Sequence, residues 1–181
     1  AVNLFVLALL GAGLFFLDSY RVRLIAEREN TARVQASFLV SSLPLIAKEK
    51  RDDYIAKFGQ LNLSRIRVYD QDGRKILDSF AGREPTYVFR DPNSEPWSKI
   101  AARWIDVMFD FLVGAAKLER YVEPAKDIPS AWPEIRAATP VNSASKVRFA
   151  PDLTHVISAA ATVRDGGLTV LTTSNERDIR L

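Results

Sequence analysis

The chain has 181 residues, of which 48% are hydrophobic, and a formal net charge of +3. This length suits one modest domain with an additional helix. Basic and acidic residues alternate along nearly the whole chain, so the small net charge does not support nucleic acid as a partner. The absence of cysteine excludes a disulfide scaffold and a thiolate metal site.

The first predicted element is an apolar segment at residues 1–17, in which Asn3 is the only strongly polar side chain. A helix needs about 20 residues to cross a bilayer core, with about 17 near the lower limit. A secretory signal peptide has an apolar region of about 7–15 residues that ends at a small-residue cleavage site, whereas this segment ends in Phe15-Phe16-Leu17. Because the chain opens on Ala rather than Met, we expect further residues upstream. We therefore predict a transmembrane helix truncated at its N terminus, with a buried core helix as the alternative.

The charged segment at residues 18–58 is predicted to continue this helix out of the membrane, since no glycine or proline separates the two. Its apolar residues recur at a spacing of three and four, which places them on one seam of a helix, as in a coiled coil. The seam consists of Val22, Ile25, Ala32, Ala36, Leu39, Leu43 and Ile46. It predicts either the contact of a homodimer or packing of the helix on its own domain. Pro44 predicts a kink, and Gly59 is expected to cap the second piece.

From residue 59 to residue 181 the pattern is that of an α/β domain. Residues 63–80 alternate apolar and polar side chains around a turn, which predicts a β-hairpin. A helix is predicted from about Glu95 to Val122, followed by a loop with a short helix near residues 132–138. The stretches "KVRFAP", "THVISAAATV" and "LTVLTTS" predict three strands of an antiparallel sheet. The predicted fold is therefore a transmembrane and long signalling helix followed by a PAS-like or PDC-like antiparallel sheet with flanking helices.

No motif of an enzyme active site is present in the sequence. One histidine, His155, and no cysteine cannot form a zinc site of the usual N/S type. Neither a glycine-rich phosphate loop nor a G-x-S-x-G motif occurs. The stretch "DQDGR" lacks the acidic residue that closes a calcium loop, so it predicts a plain turn. We therefore predict no catalytic residue, cofactor or metal site in this chain.

Three stretches of the chain resemble the N-terminal region of the ChvG/ExoS-type sensor histidine kinases of alphaproteobacteria. They are "NLFVLALLGAGLFFLDSYRVRLIAER", "RIRVYDQDGRKILDS" and "VISAAATVRDGGLTVLTTSNERDIR". The resemblance implies a periplasmic sensor between two transmembrane helices of the inner membrane, which responds to acid or envelope stress. It also implies a periplasmic inhibitory regulator of the ExoR type. The HAMP region, the phosphoacceptor, the binding site for ATP and Mg²⁺ and the contact with a response regulator are expected beyond Leu181.

The predicted function is that of the extracytoplasmic sensor module of a two-component membrane histidine kinase, acting as a homodimer anchored in the lipid bilayer. The chain itself is not expected to be catalytic, although the full-length protein would be a kinase. The same layout is compatible with the sensor of a chemoreceptor or a cyclase. A third alternative, from another class, is a membrane-anchored scaffold that binds a partner protein.

Two features are candidates for the pH-sensing group that the resemblance implies. Asp106 and Asp110 lie four residues apart in an oily helix, where burial and mutual repulsion would raise their pKa values; the alternative is a solvated stripe. His155 belongs to the residue type that titrates nearest neutral pH, but it is equally a candidate core or edge histidine. The apolar residues around the aspartates predict either core packing or a partner or membrane surface: Trp104, Phe109, Phe111 and Leu112.

Overall fold

The computed structural model describes residues 2–89, 118–152, 154–163 and 167–175. The helices are α1 (Val2–Ser42), α2 (Lys48–Leu61) and α3 (Pro133–Ala137), with 3-10 turns at Leu43–Leu45 and Pro129–Ala131. The strands are β1 (Ser64–Tyr69), β2 (Lys75–Asp78), β3 (Ala144–Phe149), β4 (His155–Thr162) and β5 (Thr169–Asn175).

The five strands form one antiparallel sheet in the order β2-β1-β5-β4-β3. The predicted hairpin is β1 and β2, and the predicted terminal strands are β3, β4 and β5. The last strand also pairs with the first, with Ile66 opposite Thr172. The central strand β5 is rich in β-branched residues, which suit a pleated surface buried on both faces. The predicted α/β class, with an antiparallel sheet and flanking helices, is confirmed.

The long helix is interrupted at Pro44, as the sequence predicted. Proline has no N–H to donate and its ring clashes with the preceding turn, so α1 ends at Ser42 and a 3-10 turn follows. The Arg51 guanidinium then donates to the exposed carbonyls of Ile46, at 2.9 Å, and Pro44, at 3.4 Å. The chain resumes a helix at Lys48.

The C-terminal half of α1 packs on β4 and β5, and this corrects the predicted dimer seam. Four seam residues lie in the core of the same chain, against Ile157 and Val170: Ala32, Ala36, Leu39 and Leu43. They are buried by the chain's own sheet and cannot meet a second copy. The alternative, packing of the helix on its own domain, describes these positions. Of the remaining seam residues, Val22 is exposed, and Ile25 and Ile46 are half-buried.

The same packing joins two segments that the sequence analysis treated as separate domains. The helical segment 18–58 and the domain 59–181 share one apolar core, in which Leu39 of α1 and Leu43 of the following 3-10 turn lie with Ile66 and Val68 of β1. A boundary at residue 59 therefore falls inside a single packed unit.

Gly59 has a different role from the predicted helix cap. It lies buried inside α2, which continues to Leu61. A Cβ at position 59 would lie 2.7 Å from the carbonyl oxygen of Ser64. The glycine therefore permits the end of α2 to approach the start of β1, where Leu63 adopts a left-handed conformation with φ of 48°.

The second face of the sheet carries α3 and irregular chain. Its apolar residues form a separate cluster: Tyr69, Tyr121, Trp132, Ala150, Val156, Ala160 and Leu171. Residues 118–122 are not helical, because Arg120 forms a β-bridge with Phe149 instead, so the predicted helix does not reach Val122. Positions 95–117 of that predicted helix lie outside the described residues.

The N-terminal part of α1 exposes large apolar side chains. Those that the structure describes are Phe5, Val6, Leu9, Phe15, Phe16 and Tyr20. Over the described parts of the chain, no helix has an apolar stretch long enough to cross a membrane.

Candidate functional site: a charged cluster on the sheet

Strand β1 places apolar side chains on one face of the sheet and polar side chains on the other. Successive residues of a strand point to opposite faces, so Ile66 and Val68 enter the core beneath α1. Arg65, Arg67 and Tyr69 consequently face the layer that contains α3. The alternation was evident in the sequence, but the burial of this polar face was not: Arg67 and Tyr69 are both 0% exposed.

Arg67 is held by groups from three separate parts of the chain. Its Nη2 donates to the carboxylate of Glu123 and its Nη1 to Oγ1 of Thr173, at 3.4 Å. Its Nε lies 3.4 Å from Oδ2 of Asp127 but makes no hydrogen bond. The guanidinium carbon lies 4.9 Å from the centre of the Trp132 ring, a cation–π contact. A fully buried charge is costly unless it is paired, and these contacts supply the pairing.

Asp127 contacts four surrounding side chains, three through hydrogen bonds and that of Arg67 through an ion pair. Its Oδ1 accepts hydrogen bonds from Tyr69 Oη, at 2.6 Å, and from Trp132 Nε1, at 3.0 Å. Its Oδ2 accepts one from Lys75 Nζ, at 2.8 Å. Burial by itself raises the pKa of Asp127, but these hydrogen bonds and the charge of Arg67 outweigh it, and the pKa is lowered.

Asp78 is the second carboxylate that cations surround. Arg65 donates to it through Nε, at 3.0 Å, and Nη2, at 2.8 Å, which is the bidentate geometry of a strong ion pair. Lys75 donates to the same carboxylate at 2.9 Å. Burial opposes ionisation, yet the hydrogen bonds from Arg65 and Lys75 hold the pKa of Asp78 well below its usual range. Arg65 also donates through Nη1 to Glu123, at 2.5 Å.

Together these residues form what we call the charged cluster. Its members are three cations and three carboxylates: Arg65, Arg67, Lys75, Asp78, Glu123 and Asp127. The charges balance, and four of these six ion pairs join the β1–β2 hairpin to residues 123–127. The cluster therefore fixes that irregular segment to the sheet.

Aromatic rings continue the same layer beside the charged cluster. Neighbouring ring centroids are 5.4, 5.4, 5.2 and 6.2 Å apart along the series Phe80, Tyr87, Phe89, Tyr121 and Trp132. The spacings and tilts are those of favourable aromatic pairs. The ring series links the end of the hairpin to the start of α3.

A second buried ion pair attaches α3 to the sheet. Arg148 of β3 donates through Nη1 and Nη2 to the two carboxylate oxygens of Glu134, at 3.2 and 2.6 Å. Its Nη1 also donates to Oγ of Ser158 on β4, at 3.0 Å. Both charged side chains are buried.

The predicted pH-sensing and surface residues are placed only in part. Asp106 and Asp110 lie outside the described residues, as do the predicted surface residues Trp104, Phe109, Phe111 and Leu112. His155 is the first residue of β4, half-buried and directly opposite Phe149, with ring centroids 5.1 Å apart. His155 therefore lies at the end of an inner strand, and its part in pH sensing stays a prediction.

The charged cluster was not found from the sequence, although one signal pointed to it. Two arginines alternate with apolar residues in "RIRVY", which is unusual for a strand that is paired on both sides. Their carboxylate partner Glu123 lies 56 residues further along the chain from Arg67. No local pattern could therefore have paired them.

The charged cluster supports the fold, because it attaches residues 123–127 to the sheet. Its groups are cations and carboxylates already engaged with one another, and within the described ranges no group of acidic and histidine residues could hold a metal ion. No family model, curated protein or solved structure matches the chain.

Proposed function

We propose that the chain is the extracytoplasmic sensor module of a two-component membrane histidine kinase of the ChvG/ExoS type, which responds to acid or envelope stress. In this proposal residues 1–17 belong to its transmembrane anchor, although the described part of α1 is not by itself apolar over a length that spans a bilayer, and the sheet lies in the periplasm beside a bacterial inner membrane. ATP and Mg²⁺ belong to a kinase domain outside this chain, as does the contact with the response regulator. An ExoR-type regulator restrains the sensor.

One observation carries this proposal: α1 is a single helix from Val2 to Ser42, and its C-terminal half is part of the core of the sheet. Close-packed interiors transmit displacement rather than absorb it. A rearrangement of β4 or β5 therefore moves the whole helix, because the break at Pro44 lies after the buried part. A sensor that reports across a membrane needs such a connection.

The finer fold assignment belongs to the same proposal. The sheet is of the PAS-like or PDC-like kind, with its last strand beside its first and a hairpin at one edge. A helix covers one face, and irregular chain with a short helix covers the other. This arrangement supports a sensory domain.

The proposal is tested with full-length protein in membrane vesicles supplied with ATP and Mg²⁺. We expect phosphate incorporation that rises on acidification. We also expect Ala36→Leu, which overfills the contact between α1 and the sheet, to change that incorporation at neutral pH. Leu45→Ala is the control, since Leu45 is 88% exposed. A protein that incorporates no phosphate would instead support the partner-binding scaffold.

The coding sequence beyond Leu181 separates the remaining alternatives. A second apolar span followed by a HAMP-like helix pair is expected for a kinase, a chemoreceptor or a cyclase, and not for a scaffold. The output domain that follows distinguishes the three signalling classes.

A further inference from the structure

Glu123 is the member of the charged cluster that the rest of the chain holds least. Its Oε1 accepts hydrogen bonds from both Arg65 and Arg67, and among the described residues no other group donates to this side chain. The side chain is 47% exposed. By contrast, Glu134 is fully buried and uses both carboxylate oxygens to bind Arg148. Glu134 is thus built into the protein interior, whereas Glu123 covers two arginines from the solvent side.

The backbone around Glu123 is attached on either side of it rather than at it. The Tyr121 N–H donates to the carbonyl of Phe149, at 2.7 Å, and Asp127 is fixed through its own side chain. Between these two points, over residues 122–126, no backbone hydrogen bond joins the described chain to the sheet or to a helix. Glu123 can therefore leave the two arginines without breaking the sheet.

The two arginines suit an anion of a single charge. Arg67 is 0% exposed, yet its Nε is buried without a hydrogen bond, so one donor of this guanidinium stays unused when Glu123 is bound. A buried donor without a partner costs free energy. Once Glu123 leaves, three cations face two carboxylates, Asp78 and Asp127, and a net charge of +1 remains. One carboxylate restores the balance.

We propose that Arg65 and Arg67 form a binding site for a small free monocarboxylate, and that Glu123 occupies this site when no ligand is bound. The carboxylate of the ligand replaces that of Glu123 and accepts hydrogen bonds from the two guanidinium groups, whose planar donors match its geometry. The free donor of Arg67 offers the ligand a contact that Glu123 does not make. A phosphate dianion suits the site less, because Asp127 Oδ2 lies 3.4 Å from Arg67 Nε.

This site goes beyond the proposed function, whose stimulus is acid or envelope stress. Binding of the ligand releases residues 122–126 from Arg65 and Arg67, while Asp127 keeps its own contacts with the sheet. The binding is measured without any kinase output. A chain that binds the ligand but signals nothing would reject only the proposed function, and a kinase that responds to acid but binds no carboxylate would reject only the site.

The test is a calorimetric titration of the purified full chain with acetate, at an ionic strength held constant with sodium chloride. Acetamide, which has the same size but no charge, and inorganic phosphate are the comparison probes. Glu123→Ala removes the competing carboxylate. Glu119→Ala is the matched control, since it removes a nearby carboxylate that pairs with Lys146 on the surface. Circular dichroism shows whether each variant is folded.

We expect acetate to bind Glu123→Ala about tenfold more tightly than the native chain, because a carboxylate on the same chain competes at a high effective concentration. Glu119→Ala should bind acetate as the native chain does. Arg67→Lys, added to Glu123→Ala, should lose the gain, since lysine lacks the planar fork. An unchanged affinity in Glu123→Ala would overturn the proposal, and so would acetamide or phosphate that binds as tightly as acetate.

The native chain provides a second measurement that does not depend on the folding of a variant. A ligand that binds only the folded state raises the midpoint of thermal unfolding, so acetate should raise it above the value in acetamide at equal ionic strength. Equal midpoints in the two solutions would count against the site. Glu123→Gln, whose side chain keeps the shape of glutamate, replaces Glu123→Ala in the titration if the alanine variant does not fold.

Discussion

Arg148 and Glu134 show how this sheet holds charges inside the protein. Burying two ions costs several kcal/mol each, and their attraction offsets that cost only when the geometry is good and the remaining donors are satisfied. Here two hydrogen bonds join the guanidinium to the carboxylate, and Ser158 accepts a third. The pair therefore specifies where α3 docks.

Arg148→Met is expected to lower the free energy of unfolding by about 3–5 kcal/mol, because Glu134 is left buried without its partner. Replacing both residues, with Arg148→Met and Glu134→Leu, is expected to recover much of this loss. The measurement is urea unfolding followed by circular dichroism. Lys146→Met, which breaks a surface pair with Glu119, serves as control and should have little effect. Equal losses in the single and double variants would contradict this account.

The ionisation of Asp78 predicts how the free energy of unfolding depends on pH. Its pKa is lowered in the folded protein, since hydrogen bonds from Arg65 and Lys75 outweigh burial. Such a carboxylate stabilises the fold above its unfolded pKa, about 3.9, and the contribution is lost as pH falls towards the folded value. The difference in unfolding free energy between the native chain and Asp78→Asn should therefore be constant from pH 7 to pH 5 and shrink below about pH 4.

Urea unfolding over a pH series measures this difference. Asp72→Asn, on the exposed turn of the hairpin, controls for the loss of one negative charge. A difference that already shrinks between pH 7 and pH 5 would mean that the cations around Asp78 do not control its ionisation.

At the scale of elements, α1 is the part whose role the structure changes most. The helix has two apolar stripes, one inside the core and one on the surface. The buried face makes the helix a layer of the domain.

Leu39→Ala tests the inner face. Leu39 is fully buried between α1 and the sheet, so its truncation should lower the free energy of unfolding by about 2–5 kcal/mol. Leu45→Ala, at an 88% exposed position, should change it by less than about 0.5 kcal/mol. Urea unfolding of both variants measures the two changes in free energy. Similar changes in the two variants would contradict the packing of this part of α1 on the sheet.

For the whole molecule, the charged cluster bears on the acid response that we propose. Asp78 and Asp127 have lowered pKa values, so both keep their charge between pH 5 and pH 7. The cluster then holds residues 123–127 on the sheet throughout that range. The proposed acid response therefore does not arise from Asp78 or Asp127, and the Asp106 and Asp110 pair and His155 stay the predicted candidates.

Asp106→Asn with Asp110→Asn is expected to reproduce the acid state at neutral pH, because the sequence predicts an oily helix in which burial and mutual repulsion would raise the pKa values of the pair. His155→Gln is expected to leave the acid response largely intact. The measurement is phosphate incorporation by the full-length protein between pH 5 and pH 7. A normal response in the double variant, together with its loss in His155→Gln, would assign the role to His155.

The sequence by itself determined the features that depend on neighbouring residues. Alternation and turn residues predicted the hairpin and the three terminal strands, and Pro44 predicted the end of α1. Only the tertiary structure decided that part of the predicted seam of α1 packs on the chain's own sheet, because a spacing of three and four suits this contact and a coiled coil equally. It also decided that Arg67 is buried, since Glu123 lies 56 residues away and chain folding alone brings the two charges together.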